Sequence, residues 1–214
     1  MIKVTRLRAS QSDFLPQLQN LLAWEAVSDD SVGEVVNRII RDVRIDGDHA
    51  LIKYTNQFDR RDVSDATELE LSPQVLADAL KRIDPSVAEA LHVAAKRISD
   101  FHQRQLAKSW DFTEADGTLL GQRVTPLDRV GLYVPGGKAA YPSSVLMNSV
   151  PAKVAGVKEL IMVVPAPDNE LDDAVLAAAS VAGVDRVFTI GGAQAVAALA
   201  YGTCLLYTSP SPRD

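Results

Sequence analysis

The chain carries two glycine-rich turns, GLYVPGG at Gly131–Gly137 and GGAQA at Gly191–Ala195, about sixty residues apart. Each turn follows a run of apolar, β-branched residues, and the second opens an alanine-rich stretch that is typical of a helix. Glycine at a strand-to-helix turn lets the backbone approach a ligand closely, and a helix N-terminus offers N–H groups to an anion. The region Val130–Gly202 is therefore a candidate platform for a phosphate or a dinucleotide.

Strands and helices alternate on both sides of these turns. The apolar pattern predicts three strands, at Val130–Val134, Glu159–Val164 and Arg186–Ile190, and three helices, at Ser143–Ala155, Asp172–Ala182 and Ala193–Tyr201. Such alternation is typical of right-handed βαβ units that build a parallel sheet. We therefore expect the α/β class for this part of the chain.

The preceding residues predict a region that is richer in helices. Ser31 and Glu34 fit a capping box, and the dipeptides Ser72-Pro73 and Asp84-Pro85 fit an N-cap followed by proline at the first helical position. The second proline helix is expected to reach about Leu106. Two strand features complete this region: TELEL (Thr67–Leu71), which alternates like a strand, and an Asp116-Gly117 hairpin turn between Trp110–Thr113 and Leu119–Val124.

Composition narrows the function classes. The net charge is −6 with no basic tract, which argues against nucleic acid as a partner. No stretch is apolar for long enough to cross a membrane, and the first residues have no signal-peptide core. Cys204 is the single cysteine, so a cytoplasmic location is expected. The three histidines are scattered, and their spacing predicts no zinc site in this chain.

The two turns depart from the common phosphate-binding motifs. Around Gly137-Lys138, Leu132 occupies the first glycine position of a Walker-A loop and Ala139 occupies its Ser/Thr position. Neither turn contains G-x-G-x-x-G. From the residues alone, a dinucleotide or phosphate role and a purely structural tight turn both stay open.

Two side chains at these turns are candidate ligand contacts. Tyr133 lies at the carboxyl end of its predicted strand, at the edge where parallel sheets bind ligands, but it also suits simple aromatic packing. Gln194 falls in the first turn of its helix, where it either reaches a ligand or faces solvent. Three weaker candidates are more simply explained: His102 as a helix-end group, Lys138 as an exposed loop residue, and Ser143-Ser144 as an N-cap pair.

Five segments together resemble histidinol dehydrogenase. They are GLYVPGG, YPSSVLMNSVPAKVAGVKELIMVVP (Tyr141–Pro165), VFTIGGAQAVAALAYGT (Val187–Thr203), DVRIDGDHALIKYTNQFD (Asp42–Asp59) and FHQRQ (Phe101–Gln105). The resemblance covers Met1–Thr203. It implies an NAD-dependent, zinc-requiring homodimer that oxidises L-histidinol through the aldehyde to L-histidine, and it implies that Tyr133 and Gln194 contact NAD.

The resemblance also implies an incomplete Rossmann-like domain inside a discontinuous arrangement. The expected divisions are an arm (1–28), the first part of a discontinuous α/β domain (29–130), a Rossmann-like NAD-binding domain (131–203) and a tail (204–214). CLLYTSPSPRD (Cys204–Asp214) has no periodicity and looks foreign to the protein.

The family's zinc ligands and its Glu-His pair lie in a second half that has no match here. No catalytic or metal residue is therefore assigned, and the chain is expected to be inactive alone. The alternative is a non-catalytic nucleotide- or phosphate-binding α/β module.

Overall fold

A computed structural model describes residues 6–26, 29–136, 141–203 and Leu206. Within those residues the chain forms eight α-helices and six strands. The helices are α1 (Phe14–Ala26), α2 (Asp29–Asp46), α3 (Asp48–Asp59), α4 (Pro73–Arg82), α5 (Pro85–Gln103), α6 (Pro142–Ala155), α7 (Asp173–Ala182) and α8 (Gly192–Tyr201). The strands are β1 (Glu70–Leu71), β2 (Trp110–Thr113), β3 (Leu119–Gln122), β4 (Arg129–Tyr133), β5 (Glu159–Val163) and β6 (Arg186–Phe188).

A four-stranded sheet organises the fold, with strand order β1-β6-β5-β4. Strands β4, β5 and β6 are parallel, and Ile161 lies opposite Gly131 on one side and Arg186 on the other. The short β1 adds an antiparallel edge, where Glu70 lies opposite Phe188. The prediction of an α/β fold with a parallel sheet is confirmed.

Helices cover both faces of this sheet, because successive residues of a strand point to opposite sides. On one face, Ile161, Val163 and Phe188 pack in a core with residues of α2, α3 and α8. On the other face, Met162 and Val187 pack with residues of α4, α5, α6 and α7. The sheet therefore lies between two helical layers, and helices from before residue 130 contribute to both.

An alternating row of charges crosses the amino-terminal end of the sheet. Arg186 makes two hydrogen bonds to Glu70, at 2.7 and 2.8 Å, and Arg129 donates to Glu159 at 2.6 Å. Arg186 also lies 3.9 Å from Glu159. These residues are about one-third exposed and join all four strands, so the ion pairs favour the observed register over a shifted one.

The Pro73, Pro85 and hairpin predictions are confirmed, but four local predictions are wrong. Helix α2 begins at Asp29, so Ser31 lies inside it and does not occupy the N-cap position. Helix α5 ends at Gln103, before Leu106. Helix α6 already begins at Pro142 with Tyr141 as N-cap, so the two serines that follow lie in its first turn.

The fourth wrong prediction concerns TELEL, where only Glu70–Leu71 is a strand. Residues Ala66–Leu69 form a 3-10 turn. Asp65 and Glu68 make a reciprocal capping box around that turn, in which Asp65 accepts from the Thr67 N–H and Glu68 accepts from the Asp65 N–H. This local hydrogen bonding overrides the alternating pattern.

The β2–β3 hairpin differs from the rest of the fold because every residue of its two strands is exposed. The rings of Trp110 and Phe112 stack at 6.2 Å, yet their side chains remain 54% and 49% exposed. Leu119 is 67% exposed. Among the described residues, no helix is long and apolar enough to cross a membrane.

The segment Cys204–Asp214 lies outside the described residues except for Leu206. Leu206 is fully buried in the core beside α8, and its backbone carbonyl accepts from the Thr203 N–H at 2.9 Å. This one residue is therefore part of the packed core, although the segment has no periodic pattern.

We predict that Leu119→Ser changes the free energy of unfolding by less than about 0.5 kcal/mol, because the Leu119 side chain is mostly in water. The matched core change Leu160→Ala should cost about 2–5 kcal/mol, because Leu160 is fully buried in β5. Urea unfolding followed by circular dichroism measures both. Equal losses for the two variants would contradict the exposed position of the hairpin.

Candidate functional site

The structure brings Tyr133 and Gln194 to one place, above the carboxyl end of β5. Tyr133 is the last residue of β4, and Gly192 is the first residue of α8. The Gly192 N–H donates to the Tyr133 hydroxyl oxygen at 3.0 Å, so the tyrosine reaches over the central strand to the second turn. Tyr133 as a whole is 39% exposed, which leaves part of the residue open to a ligand.

Gln194 lies just inside α8 and is almost fully buried, at 1% exposure. Its Oε1 atom has no hydrogen-bond partner within the described part of the chain. Gly192 adopts φ +63°, and a Cβ there would stand 2.7 Å from Oε1. A buried amide oxygen without a donor costs about 1–3 kcal/mol, so a ligand or water that donates to Oε1 would stabilise the site.

Pro165, two residues after the end of β5, forms the floor between the two glycine turns. A Cβ on Gly136 would stand 2.6 Å from Pro165 Cγ, and a Cβ on Gly191 would stand 2.4 Å from Pro165 Cβ. No side chain fits at either position without a shift of the backbone. Both glycines are therefore needed for the turns to lie this close to the central strand.

The surface between the two glycine turns at Pro165, which we call the groove, combines three chemical features. The first turn of α8 carries the positive end of the helix dipole, Tyr133 presents an aromatic face and a hydroxyl, and Gln194 presents an unpaired acceptor. A helix N-terminus favours phosphate, and an amide oxygen accepts from a hydroxyl or amide donor of a nucleotide. The arrangement suits a ligand that has both anionic and hydrogen-bond-donating groups.

One of the weaker sequence candidates, His102, lies apart from this groove. His102 lies in a surface cleft lined by Arg97, Ile98, Phe101 and Met147, where its ring meets Phe101 edge-on. Lys138 lies outside the described residues. Within the described ranges, no three side chains of His, Cys, Asp or Glu are grouped so that they could hold a metal ion.

Two arginines beside the site were not predicted from the sequence. Arg60 and Arg61, which directly follow α3, contact the loop that follows Pro165. Arg61 donates to Asn169 Oδ1 at 2.6 Å and to the carbonyl and hydroxyl oxygens of Thr189 at 2.7 and 2.8 Å. Arg60 donates from Nε and Nη2 to the two carboxylate oxygens of Asp168. The charged run Asp59-Arg60-Arg61 after a helix was the available indication, but nothing in the sequence paired it with residues more than a hundred positions away.

Asp59 is the buried member of this group, and burial raises the pKa of its carboxyl. The N–H of Ala166 and the guanidinium groups of Arg61 and Arg60 act in the opposite direction without cancelling the effect of burial. Asp168, in contrast, has a lowered pKa because Arg60 donates to it. The two carboxyl groups therefore have opposite effects on stability as pH changes.

Comparisons with known proteins agree on one family. The family model described as histidinol dehydrogenase matches residues 23–208. Histidinol dehydrogenase of Hydrogenovibrio crunogenus is 59% identical over 203 residues, which cover 95% of this chain and 47% of that protein. The protein of the same name from Pseudomonas savastanoi pv. phaseolicola is 60% identical over 200 residues, covering 94% of this chain and 45% of the relative.

A solved structure is also similar. The crystal structure of histidinol dehydrogenase from Elizabethkingia anophelis has a TM-score of 0.76 and 27% identity, and the match covers 83% of this chain and 41% of that one. The chain thus spans about half the length of the curated relatives that it matches.

We predict that Asp59→Asn raises the free energy of unfolding over that of the unchanged chain, and that this gain is largest at neutral pH. Ionisation of Asp59 destabilises the fold because its folded-state pKa lies above the ordinary value of 3.8. The difference between the two proteins should shrink as pH falls through the folded-state pKa and vanish below 3.8. Urea unfolding across this range measures it.

Asp168→Asn is the matched control, with the opposite sign. Because the pKa of Asp168 is lowered, its charge stabilises the fold at neutral pH, and that contribution disappears as pH falls below the lowered value. A pH-independent difference for Asp59→Asn would contradict the burial of its charge.

Proposed function

Since the chain belongs to the histidinol dehydrogenase family, we propose that the groove between its two glycine turns holds NAD, the oxidant for conversion of L-histidinol through the aldehyde to L-histidine. The observation that carries this proposal is the Tyr133–Gly192 hydrogen bond beside the buried, unpartnered oxygen of Gln194. If this turn were purely structural, burial of Gln194 with an unused acceptor would cost free energy that no hydrogen bond returns.

The residues of the groove fit a dinucleotide. Gly136 and Gly191 lack a Cβ where one would meet Pro165, so both turns lie close to the end of β5 and to each other. The α8 N-terminus supplies a positive electrostatic potential for the pyrophosphate. Gln194 Oε1 supplies an acceptor for a hydroxyl or carboxamide donor of the cofactor, and its burial fixes the direction of that hydrogen bond.

Tyr133 has two tasks in this proposal. Its hydroxyl accepts from the Gly192 N–H and so holds the second turn in position, while it can still donate its own proton to a cofactor oxygen. The ring of this half-exposed residue offers a flat apolar surface for a base or nicotinamide ring. Together the tyrosine and glutamine limit how the cofactor lies across the end of β5.

Bound NAD would accept the hydride that leaves the alcohol carbon. This chain's own contribution is binding and orientation, and no residue of it is assigned to acid–base chemistry. The zinc that the family implies finds no group of ligands among the described residues, so no zinc ligand is assigned either. We propose that the Glu-His pair, the zinc ligands and most substrate contacts belong to the half of the relatives that this chain does not match.

Two further features belong to the same proposal. The intact enzyme is a homodimer whose sites are completed across subunits, and residues 131–203 are its Rossmann-like NAD-binding domain. Residues 29–130 are then the first part of a discontinuous domain. The large exposed side chains of the hairpin are consistent with further chain packing against this half.

We predict that Gln194→Met weakens NAD binding about tenfold, because the loss of one buried hydrogen bond corresponds to about 1–1.5 kcal/mol. Its thermal midpoint should be equal to or above that of the unchanged chain, because methionine removes the unpartnered oxygen while nearly preserving side-chain volume. Isothermal titration calorimetry and thermal unfolding measure the two quantities.

Tyr133→Phe should also weaken NAD binding, whereas Tyr201→Phe serves as the control because Tyr201 is exposed at the far end of α8. Unchanged affinity in Gln194→Met and Tyr133→Phe would refute the assignment of the groove. Weaker binding of inorganic pyrophosphate in both variants, with no affinity for NAD in the unchanged chain, would favour the phosphate-binding module instead.

We also predict that the 214-residue chain forms no NADH from L-histidinol, with or without added zinc, because no acid–base pair or zinc ligand is assigned to it. Absorbance of NADH measures this directly, and a histidinol dehydrogenase of full family length serves as the positive control. Zinc-dependent NADH formation by the purified chain would overturn the assignment of the chemistry to the unmatched half.

A further inference from the structure

Three consecutive residues, Asp59, Arg60 and Arg61, hold the loop that follows β5; we call them the strap. The strap begins at the last residue of α3, where Arg60 ends the helix in a left-handed conformation at φ 52°. Its three side chains meet the segment Ala166–Asn169 and the end of β6. The strap thus joins the end of α3 to the loop that follows Pro165.

Arg61 makes the decisive contacts because it joins two loops at once. Its Nε donates to Asn169, four residues after Pro165, and its Nη1 donates to both oxygens of Thr189, two residues before Gly191. One guanidinium therefore fixes the loop after β5 relative to the loop after β6. The planar shape of guanidinium suits this task because its donors have a fixed geometry.

The other two strap residues, Arg60 and Asp59, differ in burial and in how they contact the loop. The Arg60–Asp168 pair is exposed, with side-chain exposures of 64% and 53%, so solvent screens it and its contribution is small. Asp59 is 7% exposed and faces both the Ala166 N–H and the Arg61 guanidinium. The Arg61 guanidinium offsets part of the cost of burying the Asp59 charge.

The loop after β5 needs external support. Asp168 and Asn169 both adopt left-handed conformations, at φ 55° and 63°, which are unfavourable for residues other than glycine even though Asp and Asn tolerate them best. Such a conformation persists where surrounding contacts determine it. Here Asn169 is held by Arg61 and by the hydrogen bond from its own N–H to the Ala166 carbonyl.

The position of this loop controls the groove because Pro165 lies against both glycine turns. The close approaches of Gly136 and Gly191 to Pro165 leave no room for an added atom, so a small shift of Pro165 changes the separation of the turns. We propose that Arg61 is a positioning residue, which by joining Asn169 to Thr189 sets the width of the groove. The inference rests on the proposed function, since it is the NAD groove whose width is set.

The first test needs no cofactor. Hydrogen exchange of the purified chain is compared among the unchanged protein, Arg61→Met, and Arg60→Met as the matched control. We expect Arg61→Met to raise exchange about tenfold in peptides covering residues 165–170 and 189–195, while peptides from α4 and α7 stay unchanged. Arg60→Met should leave both regions unchanged. Equal exchange in Arg61→Met and the unchanged chain would overturn the inference.

The second test measures NAD affinity by calorimetry. Arg61→Met should weaken binding about tenfold with an unchanged number of sites, Arg61→Lys should restore part of the loss, and Arg60→Met should stay within about twofold. Asn169→Gly guards against loss of folding, because glycine adopts φ 63° without strain yet removes the Oδ1 that Arg61 contacts. It should weaken binding like Arg61→Met.

The two tests separate this inference from the proposed function. If the unchanged chain binds NAD and both Arg61→Met and Asn169→Gly bind it equally well, the positioning role is wrong while the groove assignment stands. If exchange rises as expected but the unchanged chain has no affinity for NAD, the groove assignment is wrong while Arg61 still positions the turns.

Discussion

Burial of β5 on both faces is the constraint from which the rest of the structure follows. Four of its five residues, Leu160–Val163, are at most 1% exposed; Ile161 and Val163 pack with one helical layer, and Met162 packs with the other. A strand without a solvent-facing side needs helices above and below it and paired strands on each edge. Its carboxyl end is then the place where the neighbouring loops converge, and Pro165 lies there against both glycine turns.

The candidate site depends on contacts from distant parts of the chain. Tyr133 reaches the Gly192 N–H over a separation of 59 residues, and Arg61 reaches Thr189 over 128 residues. The groove is therefore formed by tertiary structure, with the glycine turns as its walls and the strap residues as its outer support. This organisation places a buried acceptor, Gln194 Oε1, at the same edge as a helix N-terminus, which is the chemistry that a dinucleotide requires.

Much of this arrangement could be predicted from sequence. The apolar runs predict β4, β5 and β6 to within two residues at each end, whereas Tyr133 and Gln194 follow from the family resemblance more than from spacing. The prediction of a strand over all of TELEL is wrong because Asp65 and Glu68 form a local capping box. The strap was not predictable, because periodicity and turn chemistry act over a few residues while Arg61 acts across the fold. The foreign origin of Cys204–Asp214 stays a prediction, with only Leu206 described and buried.

The central claim is that NAD lies in the groove above β5. A titration of the isotopically labelled chain with NAD, followed by nuclear magnetic resonance, tests it most directly through the backbone amides and the Gln194 side-chain amide. The account predicts saturable shifts confined to residues 133–136, 165–169 and 191–195, with the largest at Gly192 and Gln194. Saturable shifts centred elsewhere, such as at the cleft around His102, or no shifts at any NAD concentration, would contradict it.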